Sequence, residues 1–91
     1  MVECKITGRV TCLVERMPCA TGEMAAKYYV KVPNERRRAP DYVQVIARGK
    51  LAYWALENVK PGMTLRIKGE CRAMLSTLVV EQTQGRIIDN G

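Results

Sequence analysis

Residues 2–15 alternate apolar and polar side chains, and no other stretch constrains the fold so sharply. Val2, Cys4, Ile6, Val10, Cys12 and Val14 share one parity, and Glu3, Lys5, Thr7, Arg9, Thr11 and Glu15 share the other. Successive side chains on an extended chain point to opposite faces, so the pattern predicts a long strand with one face in a core and the other in water. Gly8 interrupts the apolar parity. A missing side chain there permits a bend, a bulge or close approach of another backbone, as a coiled barrel strand requires. The run Met17-Pro18-Cys19-Ala20-Thr21-Gly22 reads as a loop.

The same alternation recurs downstream. Over residues 24–32, Tyr28, Val30 and Val32 share a face opposite Lys27, Tyr29 and Lys31. Over 41–48, Val43, Val45 and Ala47 alternate with Tyr42, Gln44, Ile46 and Arg48. Between these strands, residues 33–40 are polar, basic and bounded by Pro33 and Pro40, which reads as a long loop. After Gly49 the period changes: Leu51, Ala52, Ala55 and Val59 fall at helical spacing, with Trp54 beside them, and Asn58 to Gly62 carries the stop signals. Two more strands are expected, at 63–72 and at 76–82, the last resuming at 86–88 beyond Gly85. Strands with one helix between the third and fourth predict an all-β, five-stranded OB-fold barrel, and 91 residues suffice for one such domain spanning the chain. Hairpins packed on a lone helix are the competing topology.

Lysine and arginine number 15 against 9 acidic residues, a net charge of +6. This excess favours a polyanionic partner. The chain lacks a long apolar run and a strongly amphipathic basic helix, so a membrane partner is not expected. No signal-peptide core precedes the first strand, and the expected setting is the cytoplasm. Histidine is absent, and Cys4, Cys12, Cys19 and Cys71 form no CxxC pair. Buried thiols acting as small hydrophobes fit better than a metal site or disulfides. No P-loop, nucleophile elbow or paired carboxylates are visible, so neither an enzyme nor a cofactor is expected.

The stretch from Asp41 to Ala52, with Tyr42, Val43, Val45 and Gly49-Lys50-Leu51-Ala52, followed by Lys60-Pro61-Gly62 and Leu65-Arg66-Ile67-Lys68-Gly69-Glu70-Cys71, resembles bacterial single-stranded DNA-binding proteins. Ile6-Thr7-Gly8-Arg9-Val10 is similar to that family's first-strand pattern. A short, tail-less version also resembles primosomal replication protein B, a dimeric relative used in replication restart. The resemblance implies an OB barrel that binds single strands with little sequence preference, in replication, recombination or restart, on a chromosome, plasmid or phage. It places a base-stacking aromatic at Tyr42, another stacking position at Arg48, and Trp54 in the barrel plug. The family's acidic C-terminal tip has no counterpart in Asp89-Asn90-Gly91, so recruitment of partners by that route is not expected. The segment Cys71 to Leu78 is too short for the family's long DNA-gripping hairpin. Phenylalanine is absent, which leaves stacking to tyrosine.

Binding a single strand needs cations along the phosphates and flat side chains against the bases. Lys27, Tyr29 and Lys31 supply both on the second strand, Tyr42 and Arg48 on the third. Arg66, Lys68 and Arg72 continue the basic face on the fourth, with Glu70 as the acidic exception, and Arg36, Arg37 and Arg38 in the long loop would add phosphate contacts. A solvated strand face carrying the same residues is the bland alternative. Tyr53 and Leu56 share a helix face directed away from the expected core and form a candidate patch for a replication protein. The long first strand offers an edge for a homodimer or homotetramer. Two other functions remain open: an OB-fold adaptor within a replication complex, and an RNA-binding OB protein.

Overall fold

In the computed structural model, residues 2–18, 20–33, 41–74 and 77–91 are described. The elements are β1 (Val2–Val10), β2 (Glu15–Met17), β3 (Ala25–Val32), β4 (Asp41–Arg48), α1 (Lys50–Asn58), β5 (Thr64–Met74) and β6 (Thr77–Asp89). Hydrogen bonding runs β1-β5-β6-β4-β3-β2, and a further β1–β3 pairing closes β1, β5, β6, β4 and β3 into a ring. The β4–β6 pairing is parallel and the others are antiparallel. This closed five-stranded ring, with its helix between β4 and β5, is the expected OB-fold barrel.

The alternation in the sequence reads directly onto this barrel. Val10, Ala26, Tyr28, Val30, Val43, Val45, Ala47, Leu65, Ile67 and Val80 meet inside, and α1 closes one end with Ala52 and Ala55. Trp54 and Leu56 pack half-buried against the same core. A single polar side chain, Gln82, is buried among the described residues; its Oε1 accepts a 2.8 Å hydrogen bond from the Tyr28 hydroxyl. Desolvation holds that hydroxyl well above the usual phenol pKa.

Several boundaries differ from expectation. The first strand ends at Val10 rather than at residue 15. There it changes partner: Val2–Arg9 pair with β5, while Arg9 and Val10 pair with Lys31 and Val30 of β3. At this corner the Val10 N–H donates to the Met63 carbonyl and the Gly62 N–H donates to the Val10 carbonyl, at 2.8 Å each. The Thr11 N–H still donates to the Tyr29 carbonyl at 3.0 Å, residues 12–14 leave the sheet, and Glu15 to Met17, the last of these assigned to a loop, form the extra strand β2 against β3. Gly8 fills the role its position implied: a β-carbon there would stand 2.9 Å from the Lys31 carbonyl oxygen. Close approach of the two backbones is what closes the ring.

The last two strands are longer than expected. β5 continues to Met74 and pairs with β6 as far as Met74↔Thr77, so most of the segment taken as a turn is paired strand. β6 runs unbroken through Gln84 and Gly85. Its register shifts by one residue between Lys68↔Gln84 and Gly69↔Gln82, leaving Thr83 as the extra residue. The Thr83 hydroxyl donates to the Lys68 carbonyl at that point. Gly69 is required beside the shift, because a β-carbon would run into the Glu81 carbonyl and stand 2.9 Å from Val80 Cγ1.

Candidate nucleic-acid interface

The register of β3 and β4 fixes which polar side chains share the outer face. Lys31 stands opposite Tyr42, Tyr29 opposite Gln44, Lys27 opposite Ile46, and Ala25 opposite Arg48. Tyr29 and Tyr42 are therefore diagonal neighbours, close enough for both rings to meet one ligand. They border an open cavity of about 530 Å³. Ile6, Val32, Val43 and Leu78 form its apolar lining. Tyr42 is 57% exposed and Tyr29 half-buried. Along β4 the outer face leads from Tyr42 to Arg48, a span of about 20 Å at roughly 3.3 Å per residue.

The cations expected on this face fall into distinct groups. Lys31 has no ion pair among the described residues, whereas Lys27 lies 3.8 Å from Glu15 of β2. Arg48 and Arg72 converge on one carboxylate: Arg48 Nε is 3.2 Å from Glu81 Oε2, and Arg72 Nη2 is 3.3 Å from Glu81 Oε1. Glu81 thus clasps β4 and β5 from β6 between them, and part of the positive charge expected there is neutralised. The idea that acidic residues avoid the face apart from Glu70 is corrected by this residue. Its place followed from the alternation of β6, but only the parallel β4–β6 pairing puts it beside Arg48.

Arg66 and Lys68 do not join the tyrosines. Glu3, Glu70 and Glu81 are successive register partners across β1, β5 and β6, an acidic row that separates Arg72 from the residues beyond it. Past this row, Arg66 and Lys68 line a second open cavity, of about 380 Å³, with Lys5, Gln84 and Arg86. Lys68 Nζ reaches Glu3 Oε1 at 3.3 Å. Lys5 and Arg86 were missed as site candidates because they lie on the first and last strands, whose pairing on either side of β5 the sequence alone does not show. Arg36, Arg37 and Arg38 lie outside the described residues.

The helix patch also changes. Tyr53 is 53% exposed, but Leu56 packs half-buried against the core, so the two do not form one open surface. Cys4 is half-buried beside Cys71, and its thiol is pushed up to about 11 by desolvation and by that neighbour. Among the described residues no three His, Cys, Asp or Glu side chains cluster so as to hold a metal ion, and no helix is long and apolar enough to cross a membrane.

No protein-family model and no curated protein matches this sequence. Solved structures do match. The second single-stranded DNA-binding protein of Mycobacterium smegmatis superposes with a TM-score of 0.81 at 22% identity, covering 96% of this chain and 88% of that one. The mitochondrial single-stranded DNA-binding protein Rim1 of S. cerevisiae gives 0.84 at 16% identity, with 99% and 97% covered. The dimeric N-terminal domain of PriB from Thermoanaerobacter tencongensis gives 0.75 at 19% identity, with 94% of each chain covered. At these identities the likeness defines a class of fold: the chain is an OB-fold barrel whose topology these three proteins share.

Proposed function

We propose that this protein binds single-stranded DNA with little sequence preference, in replication, recombination or restart. The observation that carries the reading is the pair Tyr29 and Tyr42 bordering one open cavity, with Lys31 opposite Tyr42. Exposed rings accept any base face, and neighbouring cations hold the phosphates, so affinity needs no base-specific hydrogen bonds. The solved neighbours with this fold, themselves single-stranded DNA-binding proteins, support the choice of ligand.

Lys27, Arg48 and Arg72 extend the interface, the last two in competition with Glu81, and Arg36, Arg37 and Arg38 add phosphate contacts. Arg66 and Lys68 contribute from beyond the acidic row. The protein works in the cytoplasm as a homodimer or homotetramer and performs no catalytic step. The oligomer is supported by β1, of which only Arg9 and Val10 pair with β3 among the described residues, so Val2–Gly8 keep one edge without a strand partner.

The test is anisotropy of fluorescein-labelled oligo-dT, with duplex DNA and oligo-U as competitors. Tight, salt-sensitive binding that duplex cannot displace is the expected result. Equal competition by oligo-U would make the ligand single-stranded nucleic acid of either sugar. No binding even at low salt would overturn the proposal.

A further inference from the structure

The outer face of β1, β5 and β6 carries a charge pattern that folding alone does not reward. Lys5 stands directly opposite Lys68, and Arg66 directly opposite Arg86. Like charges in register across a sheet repel. Lys68 is relieved by Glu3 at 3.3 Å, but Lys5, Arg66 and Arg86 form no ion pair among the described residues. These side chains surround one open cavity, to which Gln84 adds an amide. Among the described residues no aromatic ring lines it. The acidic row Glu3, Glu70, Glu81 separates it from the tyrosine face.

We propose that this cavity is a second nucleic-acid site that holds the phosphodiester backbone alone. The occupant follows from charge. A phosphate between Arg66 and Arg86 removes the repulsion that their register imposes, and guanidinium groups suit the paired oxygens of a phosphate. A second copy of the same face would bring the same cations and be repelled. The absence of a ring from the lining makes the site indifferent to bases, unlike the face bearing Tyr29 and Tyr42. The identity of the polyanion as nucleic acid rests on the proposed single-strand binding; the anion site itself does not.

The discriminating probe is a fluorescein-labelled strand of abasic deoxyribose phosphates, which offers backbone and no bases. The unmodified protein binds it, and Arg66→Ala/Arg86→Ala weakens that binding at least tenfold at low salt. The slope of log K against log salt falls by about 1.4, two single-strand phosphate contacts at about 0.7 each. Arg66→Lys/Arg86→Lys recovers most of the slope. Tyr29→Ala/Tyr42→Ala leaves abasic binding unchanged while weakening oligo-dT. A double-alanine variant that binds the abasic strand as tightly as the unmodified protein, with an unchanged melting temperature, overturns the proposal; so does loss of abasic binding on removing the tyrosines. If unmodified protein held oligo-dT no tighter than the abasic strand, the base-stacking reading would fail and the backbone site would stand.

Discussion

Replacing Glu81 with glutamine removes the carboxylate shared by Arg48 and Arg72 while keeping the shape of the side chain. Both contacts are short, 3.2 and 3.3 Å, but both arginines are about half exposed, at 45% and 49%, and Glu81 is 25% exposed. Partly solvated pairs of this kind contribute about 0.2–1 kcal/mol each. The pair of contacts is therefore worth about 0.4–2 kcal/mol to the free protein. A phosphate backbone lying along β4 must displace Glu81 from one or both arginines and so give up part of that energy. In Glu81→Gln that carboxylate no longer competes with the phosphates. Affinity for oligo-dT should rise by a factor of about 2–30, while stability falls by no more than about 2 kcal/mol. With that carboxylate gone, closer contact of Arg48 and Arg72 with phosphates should steepen the dependence of log K on log salt, by up to about 1.4. Anisotropy titrations at four or five salt concentrations measure both quantities, and a urea melt measures the stability. Unchanged or weaker binding with an unchanged slope would refute the reasoning, because Arg48 and Arg72 would then lie outside the path of the strand.

Three further predictions concern the barrel. Gly69→Ala should destabilise by about 3 kcal/mol, the upper range for overpacking, since its β-carbon collides with the Glu81 carbonyl, and a fall in Tm of about 12 °C or more is expected; an unchanged Tm contradicts the account of the register shift. Tyr28→Phe leaves Gln82 Oε1 without its donor, beside an Nε2 that already has no partner among the described residues, at a cost of about 1–3 kcal/mol; in Tyr28→Phe/Gln82→Leu the cost should be less than the sum of the single changes, and strict additivity in urea melts would deny the coupling. Cys4 and Tyr28 both hold their protons more tightly when folded, Cys4 rising from 9.0 to about 11, so stability should be full below pH 9 and fall as pH climbs toward 11; a Tm that stays flat from pH 8 to 11 would contradict this.

The barrel was legible because its inner face is almost purely apolar. Tyr28, Val30, Val43, Val45, Leu65 and Ile67 were placed inside by period alone, and each is buried. The boundaries that departed do so where long-range geometry overrides the local pattern. Cys12 and Val14 continue the parity of β1, yet β1 ends at Val10 because the ring has to close against β3. Likewise Gly85 reads as a break, but β6 passes through it because β5 pairs along its whole length.

The candidate site was legible only in part, for a related reason. Parity places Tyr29, Lys31 and Tyr42 on the outer face, and β3 and β4, consecutive in the barrel, keep them together. Which cations meet which acids depends on how the strands pair, which parity within one strand does not show. Glu81 reaches Arg48 only through the parallel β4–β6 contact, and Lys5 joins Arg66 and Arg86 only because β1 and β6 flank β5. A single basic face read from β3, β4 and β5 thus becomes two, divided by glutamates that one strand at a time does not reveal.

The central claim is that Tyr29 and Tyr42 stack on bases of a single strand. Its most direct test is the affinity of Tyr29→Ala/Tyr42→Ala for oligo-dT, measured by anisotropy beside the unmodified protein and with the fold checked by thermal melting. Stacking contributes about 1–3 kcal/mol per base, so loss of two contacts should weaken binding at least about 30-fold. The salt slope should change little, because no cation is removed. A folded double variant that binds oligo-dT as tightly as the unmodified protein would contradict the claim and leave the tyrosine face without a role in binding.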